Sequence, residues 1–470
     1  MPHLVHHIEN HADSEEARQE RFQRMTTTPV PQLIVHLAIP TIISMLVTGI
    51  YNSADTYFVG RLSTQATAAV GVVFPLMSLI QALGFFCGHG SGNYVSRQLG
   101  AGNMKQSREM AATGFALSLL IGLVFSVGCL LFQRPLALLL GALPSFLEET
   151  IAYMRIILIG APFMLSQLVV NNQLRFQGSA LYAMVGLVSG ALLNIALDPL
   201  FIFTLGMGVA GAALATVVSQ FVSFVILLFM NLHFSSVPIS LSRVRFTGHY
   251  LGQIVNGGAP SLARQGMGSI SSVMLNAMAG AMGGDAAIAG MSVVTRVFML
   301  SISALVGFGQ GYQPVCSFNY GAKYYDRVRE GYWFAVRTSF GFLVALAVVG
   351  VLFPEPIVRF FRDDPEVVAV GAVALRCQAL IFPANALIIL SNMFLQAIGR
   401  GVRATILASS RSGLFLIPIL LILPRFLGLL GVEMAQAVSD LCTLLITIPL
   451  TFPVLRELKE GGRTPSVAEK

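Results

Sequence analysis

Twelve stretches of this 470-residue chain are apolar over roughly the 20 residues that a helix needs to cross a lipid bilayer. They lie near 34–59, 67–92, 110–132, 148–170, 181–203, 208–232, 251–280, 287–312, 332–353, 368–392, 402–423 and 429–453. In hydrocarbon every backbone N–H and C=O must be satisfied internally, so a chain written this way is predicted to fold as a bundle of spanning helices. Charged residues make up only 11% of it and hydrophobic ones 55%, whereas about 25% of an ordinary soluble domain is charged. The expected class is all-α and integral to a membrane.

The second half repeats the first. Pro40 recurs as Pro260, Gly88-x-Gly90-x-Gly92 as Gly307-x-Gly309-x-Gly311, Gln177 as Gln396 and Pro199 as Pro418, at offsets of 220, 219, 219 and 219 (260−40, 307−88, 396−177, 418−199). Four matches in near-constant register mark a duplicated unit. Six spans per unit is an even number, so the two copies run parallel about an axis along the membrane normal. The chain then divides into a polar tail (1–30), an N-lobe of spans 1–6 (31–232), a linker (233–250) with Arg243 and Arg245, a C-lobe of spans 7–12 (251–454) and a second tail (455–470). Paired helical repeats with a substrate site between them are the architecture of secondary transporters, not of enzymes.

The net charge of +7 does not point to nucleic acid, because of where the basic residues fall. They crowd the tails and the even-numbered loops (Arg97, Lys105, Arg108, Arg175, Arg243, Arg245, Lys323, Arg327, Arg329, Arg400, Arg403), against Arg61, Arg134, Arg359, Arg362 and Arg425 in the odd-numbered loops. The positive-inside rule puts both termini in the cytoplasm, and the expected location is the bacterial inner membrane. Residues 1–30 lack the apolar stretch of a cleavable signal peptide. His3, His6, His7 and His11 read as a solvated terminus, and the five cysteines as small buried hydrophobes.

Prolines inside the spans free a carbonyl each, which lipid tolerates only where other helices or a cavity satisfy it. Pro40 and Pro260 stand at matching repeat positions and are the expected hinges. The glycine runs sit within hydrophobic helices, which indicates close helix packing and not a phosphate-binding loop. His89, inside the first run, reads as a buried, satisfied imidazole.

Three carboxylates stand inside spans: Asp55, Asp198 and Asp440. Burying one near mid-membrane costs at least ~2.5–3.5 kcal/mol, so such residues usually face a cavity and serve a function. Span 1 enters near Ile34, which carries Asp55 roughly 30 Å along it at 1.5 Å per residue. Asp198 lies at a similar depth in span 5, with Asn194 one turn before it on the same face, and Thr216 of span 6 falls level with both. Two carboxylates, an amide and a hydroxyl form an oxygen-rich pocket suited to a small hard cation. Without a cation the pair cannot both ionise cheaply, so the same groups suit a proton carrier or a Na+ site on Asp55, Asn194 and Asp198. Asp440, with Gln436 beside it, is expected either to contact substrate in the central cavity, together with Arg296, or to pair with one of the C-lobe arginines Arg264, Arg296, Arg376 and Arg411.

These motifs resemble the multidrug and toxic compound extrusion (MATE) transporters, especially their bacterial MepA-like branch, over essentially all twelve spans. The resemblance is carried by Asp55 with Tyr57-Phe58-Val59-Gly60, Arg97-Gln98-Leu99-Gly100-Ala101-Gly102, Asn194-x-x-x-Asp198-Pro199, Gly208-Val209-Ala210-Gly211-Ala212-Ala213, Gln313-Pro314 before Asn319-Tyr320-Gly321-Ala322, and Gln396-Ala397-Ile398-Gly399. It implies two six-helix lobes around a V-shaped cleft and export driven by inward H+ or Na+ movement. It also implies a cation site on Asp55, Asn194, Asp198 and Thr216. Some relatives carry acidic coupling residues in the C-lobe cavity; here spans 7, 8 and 10 hold no carboxylate. The expected cargo is amphipathic, often cationic, organic compounds, carried by a monomer in lipid with no cofactor beyond the coupling ion. The alternatives are a lipid-linked precursor flippase, with Arg264, Arg296 and Arg376 holding pyrophosphate, and an intramembrane aspartyl protease, against which the only Gly-Gly-Asp, Gly283-Gly284-Asp285, lies in a loop.

Overall fold

The computed structural model describes residues 15–461, with side chains from Gln19 onward; the four tail histidines lie outside the described residues. All regular structure among the described residues is helical. In chain order it comprises α1 (Glu15–Thr27), α2 (Val30–Gly60), α3 (Thr64–Gly100), α4 (Met104–Leu131), α5 (Gln133–Leu139), α6 (Leu147–Phe176), α7 (Ala180–Pro199), α8 (Gly208–Phe234), α9 (Gly248–Gly321), α10 (Tyr325–Leu352), α11 (Pro354–Phe361), α12 (Pro365–Ile381), α13 (Ala384–Ala397), α14 (Gly401–Ser409), α15 (Leu416–Leu427) and α16 (Leu429–Gly461). Single π turns, Leu200–Thr204 and Ser410–Leu414, extend α7 and join α14 to α15.

Ten helices are long and apolar enough to span a membrane, and the pair α12–α13, bent by 58° at Phe382–Pro383, supplies another. The 74-residue α9 breaks at Gly284, whose φ of 63° and ψ of −155° end one helix and begin the next. Dividing it there gives twelve spans (10 + 1 + 1), in an all-α membrane protein. Caps fix several starts: the Ser63 hydroxyl accepts from Ala66 N at 2.9 Å, and Asp364 accepts from Glu366 N at 3.0 Å ahead of Pro365, each satisfying an orphan donor of the first turn.

The polar tail read as 1–30 contains a helix, because α1 is held down by specific contacts that composition does not reveal. The Arg21 guanidinium donates to Ser236 Oγ and to Phe234 O, and Phe22 packs on Phe318 with ring centroids 5.7 Å apart. Asn319 Nδ2 and Arg327 Nη2 donate to the free carbonyls of Met25 and Thr28 at 3.1 and 2.6 Å. At the other end α16 continues to Gly461, past the expected boundary at 454.

The duplication is visible in the backbone, at an offset of 221 and not 219. Gly102 and Lys323 both adopt positive φ (75° and 63°), as do Gly178 and Gly399 (83° and 84°), and 323−102 and 399−178 are both 221. The pairs Met104 and Tyr325, Leu131 and Leu352, bound corresponding helices at the same spacing. A run with glycine at every second residue matches itself when slid by two, which explains the glycine match at 219; Gln177 and Gln396, like Pro199 and Pro418, are not equivalent at 221. In the true one Gly88 corresponds to Gly309 and Gly90 to Gly311. Contacts agree: a Cβ on Gly88 would meet Asn172 and one on Gly309 would meet Met393, and 393−172 is again 221.

Gly90 abuts the backbone of Ile254 in α9, and Gly311 abuts Ala38 in α2. The glycine runs therefore let the lobes approach backbone to backbone, as small residues do between membrane helices. Hydrogen bonds between the lobes all lie, among the described residues, in the half of the spans nearest the termini. They include Thr41 Oγ1 to Gly307 O (2.6 Å), Ser317 Oγ to Asn93 Oδ1 (3.0 Å), Arg97 Nη1 to Ala397 O (2.9 Å) and Ser261 Oγ with His89 Nδ1 (2.9 Å). Farther along the same helices, Ile50, Tyr57, Phe74, Ile270 and Val273 are exposed. The lobes diverge there into a V-shaped cleft that opens away from the termini.

Candidate functional site

In the N-lobe α2, α7 and α8 pack together and bring the four expected oxygens into one buried patch. Asn194 and Asp198 lie one turn apart on α7, both buried, and Asn194 Nδ2 reaches Asp198 Oδ1 at 3.4 Å. Asp55 of α2 lies within electrostatic range of Asp198. The sixth span meets the first through Gln220 Nε2, which donates to the Tyr51 hydroxyl at 3.5 Å. Tyr51 is one turn before Asp55 and Gln220 one turn after Thr216, so the same two helix faces carry Asp55 and the buried Thr216 toward each other.

Several acceptors in this patch are unspent. Asp55 Oδ1, Asn194 Oδ1, Asp198 Oδ2 and Ser219 Oγ are buried without a hydrogen-bond partner. Orphaned buried oxygens are expensive, and these leave acceptors free for a hydrogen-bond donor or a cation. Among the described residues neither carboxylate has an ion-pair partner. Arg61, the basic residue nearest Asp55 in sequence, instead stacks over the Tyr57 ring at 5.8 Å. The donor set fits a hard monovalent cation: carboxylate, amide and hydroxyl oxygens, with no cluster of three or more His, Cys, Asp or Glu among the described residues.

Four residues of the patch escaped sequence reasoning, Ser219 among them. Tyr51 and Gln220 are each one turn from an expected site residue, and that spacing alone could have found them. Tyr153, buried on α6, lies within electrostatic range of both carboxylates, and nothing in its sequence context signals it.

The profile of the MatE family matches residues 40–200 and, separately, 260–422. The chain belongs to the MATE family. The double match covers both lobes and repeats the duplication seen in the backbone. This MATE protein is 27% identical to the multidrug export protein MepA of Staphylococcus aureus (strain MSSA476), over 91% of its own length and 95% of the relative's. It superposes, at 28% identity and a TM-score of 0.87, on an outward-facing multidrug resistance MATE transporter of the MOP superfamily, over 93% of this chain and 98% of that one. The same scores and coverage hold for a MOP superfamily transporter of Pyrococcus furiosus whose binding pocket is described as reversed in polarity, suggesting a different function.

In the C-lobe of the MATE chain, Asp440 does not face an open cavity. It is fully buried, its Oδ1 accepting from Arg411 Nε at 2.9 Å and Gln436 Nε2 at 2.8 Å and its Oδ2 from Asn385 Nδ2 at 2.8 Å. With both oxygens hydrogen-bonded and a guanidinium alongside, this carboxylate is one half of a structural ion pair, and Gln436 donates to it too. Arg296 is exposed on α9, apart from that pair. Pro40 and Pro260 sit in helices that continue unbroken through them.

His89 is satisfied on both nitrogens. Arg175 Nη2 donates to Nε2 at 3.1 Å, so the proton is on Nδ1, facing Ser261 Oγ at 2.9 Å. Arg175 was expected in a loop, yet it is buried in the seam between the lobes, where it also donates to Gln310 Oε1 and Asn172 Oδ1. The seam thus holds a guanidinium with no carboxylate beside it among the described residues.

Proposed function

We propose that this protein is a secondary active exporter that couples inward movement of H+ or Na+ to the efflux of amphipathic, chiefly cationic, organic compounds by alternating access. The observation that carries the reading is the group of unpaired buried oxygens on Asp55, Asn194 and Asp198. A proton would sit on one of the two carboxylates. Sodium would be held by both, with the Asn194 amide and Thr216 hydroxyl oxygens completing the shell. Either ion relieves the repulsion and the desolvation of two anions in one dry lobe.

Coupling needs the ion and the cargo to favour different arrangements of the lobes, since a ligand of equal affinity for both shifts nothing. The first span offers the link. Asp55 stands at its cleft end, while Ala38 and Thr41, on either side of Pro40, form the seam with Gly311 and Gly307 at its other end. Occupation of Asp55 and Asp198 repacks α2 around Pro40 and lowers the affinity for cargo on the open side. The basic loops on the termini side favour a cytoplasmic location for both termini in a bacterial inner membrane, so the cleft faces outward.

The test is dye efflux in inverted vesicles under an imposed pH gradient or an imposed sodium gradient. Export driven by one of them identifies the ion, and export driven by neither refutes coupled transport. A flippase for lipid-linked precursors is the second reading, supported by Arg296 and Arg376, both exposed in the C-lobe and suited to a pyrophosphate. Flipping of a pyrophosphate lipid in the same vesicles, with no dye movement, would favour it.

A further inference from the structure

We propose that the groove between α1, the first span and the fifth span binds the phosphate headgroup of an anionic membrane lipid, with Arg21 and Arg24 as its charged ligands. A cavity of about 550 Å³ lies there, the size of an ordinary small-molecule site. Its polar wall includes Arg21, Arg24, His36, His233 and Tyr182, and among the described residues no acidic side chain lines it. A second cavity of about 440 Å³ shares Arg24 and His36 with it, so those two side chains stand between adjoining hollows.

The depth fits a headgroup. His36 lies six residues into α2, Tyr182 two residues into α7, and His233 is next to last in α8. These are the ends of spans on the termini side, where a bilayer passes from acyl chain to phosphate. Leu37, Pro40, Ala180 and Leu181 continue the wall inward, and Val35, Ile39, Ile43 and Leu181 beside it are exposed to the membrane. A basic mouth over an apolar floor that is continuous with a lipid-facing surface matches a molecule with a phosphate at one end and hydrocarbon at the other.

The charges are poised for an anion. Arg24 is exposed and has no ion pair or hydrogen bond among the described residues. Arg21 is anchored by Ser236 and Phe234 O, which fixes one guanidinium at the rim. Burial, and Arg24 beyond it, lower the pKa of Arg21, with Tyr182 and Glu20 opposing; a bound phosphate would relieve that strain on the charged form. Because α1 also holds Phe318, Asn319 and Arg327 of the other lobe, lipid in this groove would strengthen the closed side of the seam. The site rests on the orientation proposed above, in which the termini face the anionic cytoplasmic leaflet, but its binding chemistry does not depend on what is exported.

The experiment uses the full-length protein, delipidated in detergent and then given phosphatidylglycerol, phosphatidylcholine or soluble glycerol phosphate. Retained lipid is counted by native mass spectrometry and thermal stability is followed in parallel. Phosphatidylglycerol should be retained and stabilising, phosphatidylcholine much less so, and glycerol phosphate without effect at equal concentration. Arg21→Gln and Arg24→Gln should each lower phosphatidylglycerol retention about fivefold, from about 1 kcal/mol per basic residue near an anionic surface. Arg243→Gln, on the same side but outside the groove, should leave it unchanged. Undiminished retention in Arg24→Gln, which removes no protein contact, overturns the proposal. Equal binding of glycerol phosphate would replace the lipid with a soluble phosphate ester. These readouts contain no transport step, so they stand or fall apart from the export reading.

Discussion

Gly100 and Gly321 occupy equivalent places in the two halves, and each faces a backbone carbonyl of the other half: Phe318 O for Gly100, Arg97 O for Gly321. The partners are themselves equivalent, since 318−97 and 321−100 are both 221. A Cβ at either position would overlap a carbonyl that no rotamer change can move. Gly100→Ala and Gly321→Ala should each force the inner seam apart, at about 1–3 kcal/mol for overpacking. A melting temperature several degrees lower, with faster thiol labelling of a cysteine placed at Ser96, is the expected result. Unchanged labelling would show that the seam is not held at these glycines.

The N-lobe carboxylates lend themselves to isosteric replacement. Asp55→Asn and Asp198→Asn keep shape and remove charge, so both variants should reach the membrane in normal amounts yet lose ion-driven dye export. Removing an orphaned anion from a dry site should also leave thermal stability equal or higher, because an uncompensated buried charge is destabilising. Full efflux by both variants would take the ion site away from this patch.

Asp440 and Arg411 should behave as a structural pair. Removing either partner, as in Asp440→Leu or Arg411→Met, strands the other charge and should destabilise the protein by about 3–5 kcal/mol. The double variant should recover most of that loss and retain export. If the double variant is stable and inert, Asp440 acts in transport and not only in the C-lobe core.

Gln310→Glu should tighten the inner seam. It places a carboxylate against the Arg175 guanidinium, which now has only neutral partners, and charge-assisted bonds contribute about 1.5–3 kcal/mol against about 1 for neutral ones. The variant is expected to melt higher and to export about two- to thirtyfold more slowly, as a difference of about 0.5–2 kcal/mol in the opening step would dictate. Faster export would mean that this contact does not limit opening.

The class of the fold and the seat of the oxygen patch could be read from the chain because both rest on local rules. Span length follows from bilayer thickness, and a carboxylate in hydrocarbon is costly enough to be conspicuous, as Asp55 and Asp198 are. What the chain hid depends on distance. Asp440 looks as costly as Asp198 on its own helix; only the approach of Arg411, 29 residues earlier, shows it to be compensated. Arg175 counted as a loop residue because it is next to last in its helix, and the cover it receives from Gln310 comes from the other lobe. The repeat was found but misregistered, because a glycine pattern of period two is ambiguous by two residues and the single Gln and Pro matches at 219 are coincidental at the backbone spacing of 221. The α1 helix was missed because its polar composition describes a solvated tail, while its docking depends on carbonyls reached by Asn319 and Arg327 from some 300 residues away.

The one-sided fastening of the two lobes bears on vectorial transport. In the orientation proposed above, with the gape turned outward and no hydrogen bonds between the lobes across its lips among the described residues, an expelled compound meets an unguarded entrance and is free to wander back. Preventing return therefore falls to the grip inside the trough: the N-terminal half has to lose its hold on the traveller while the door behind it is still bolted.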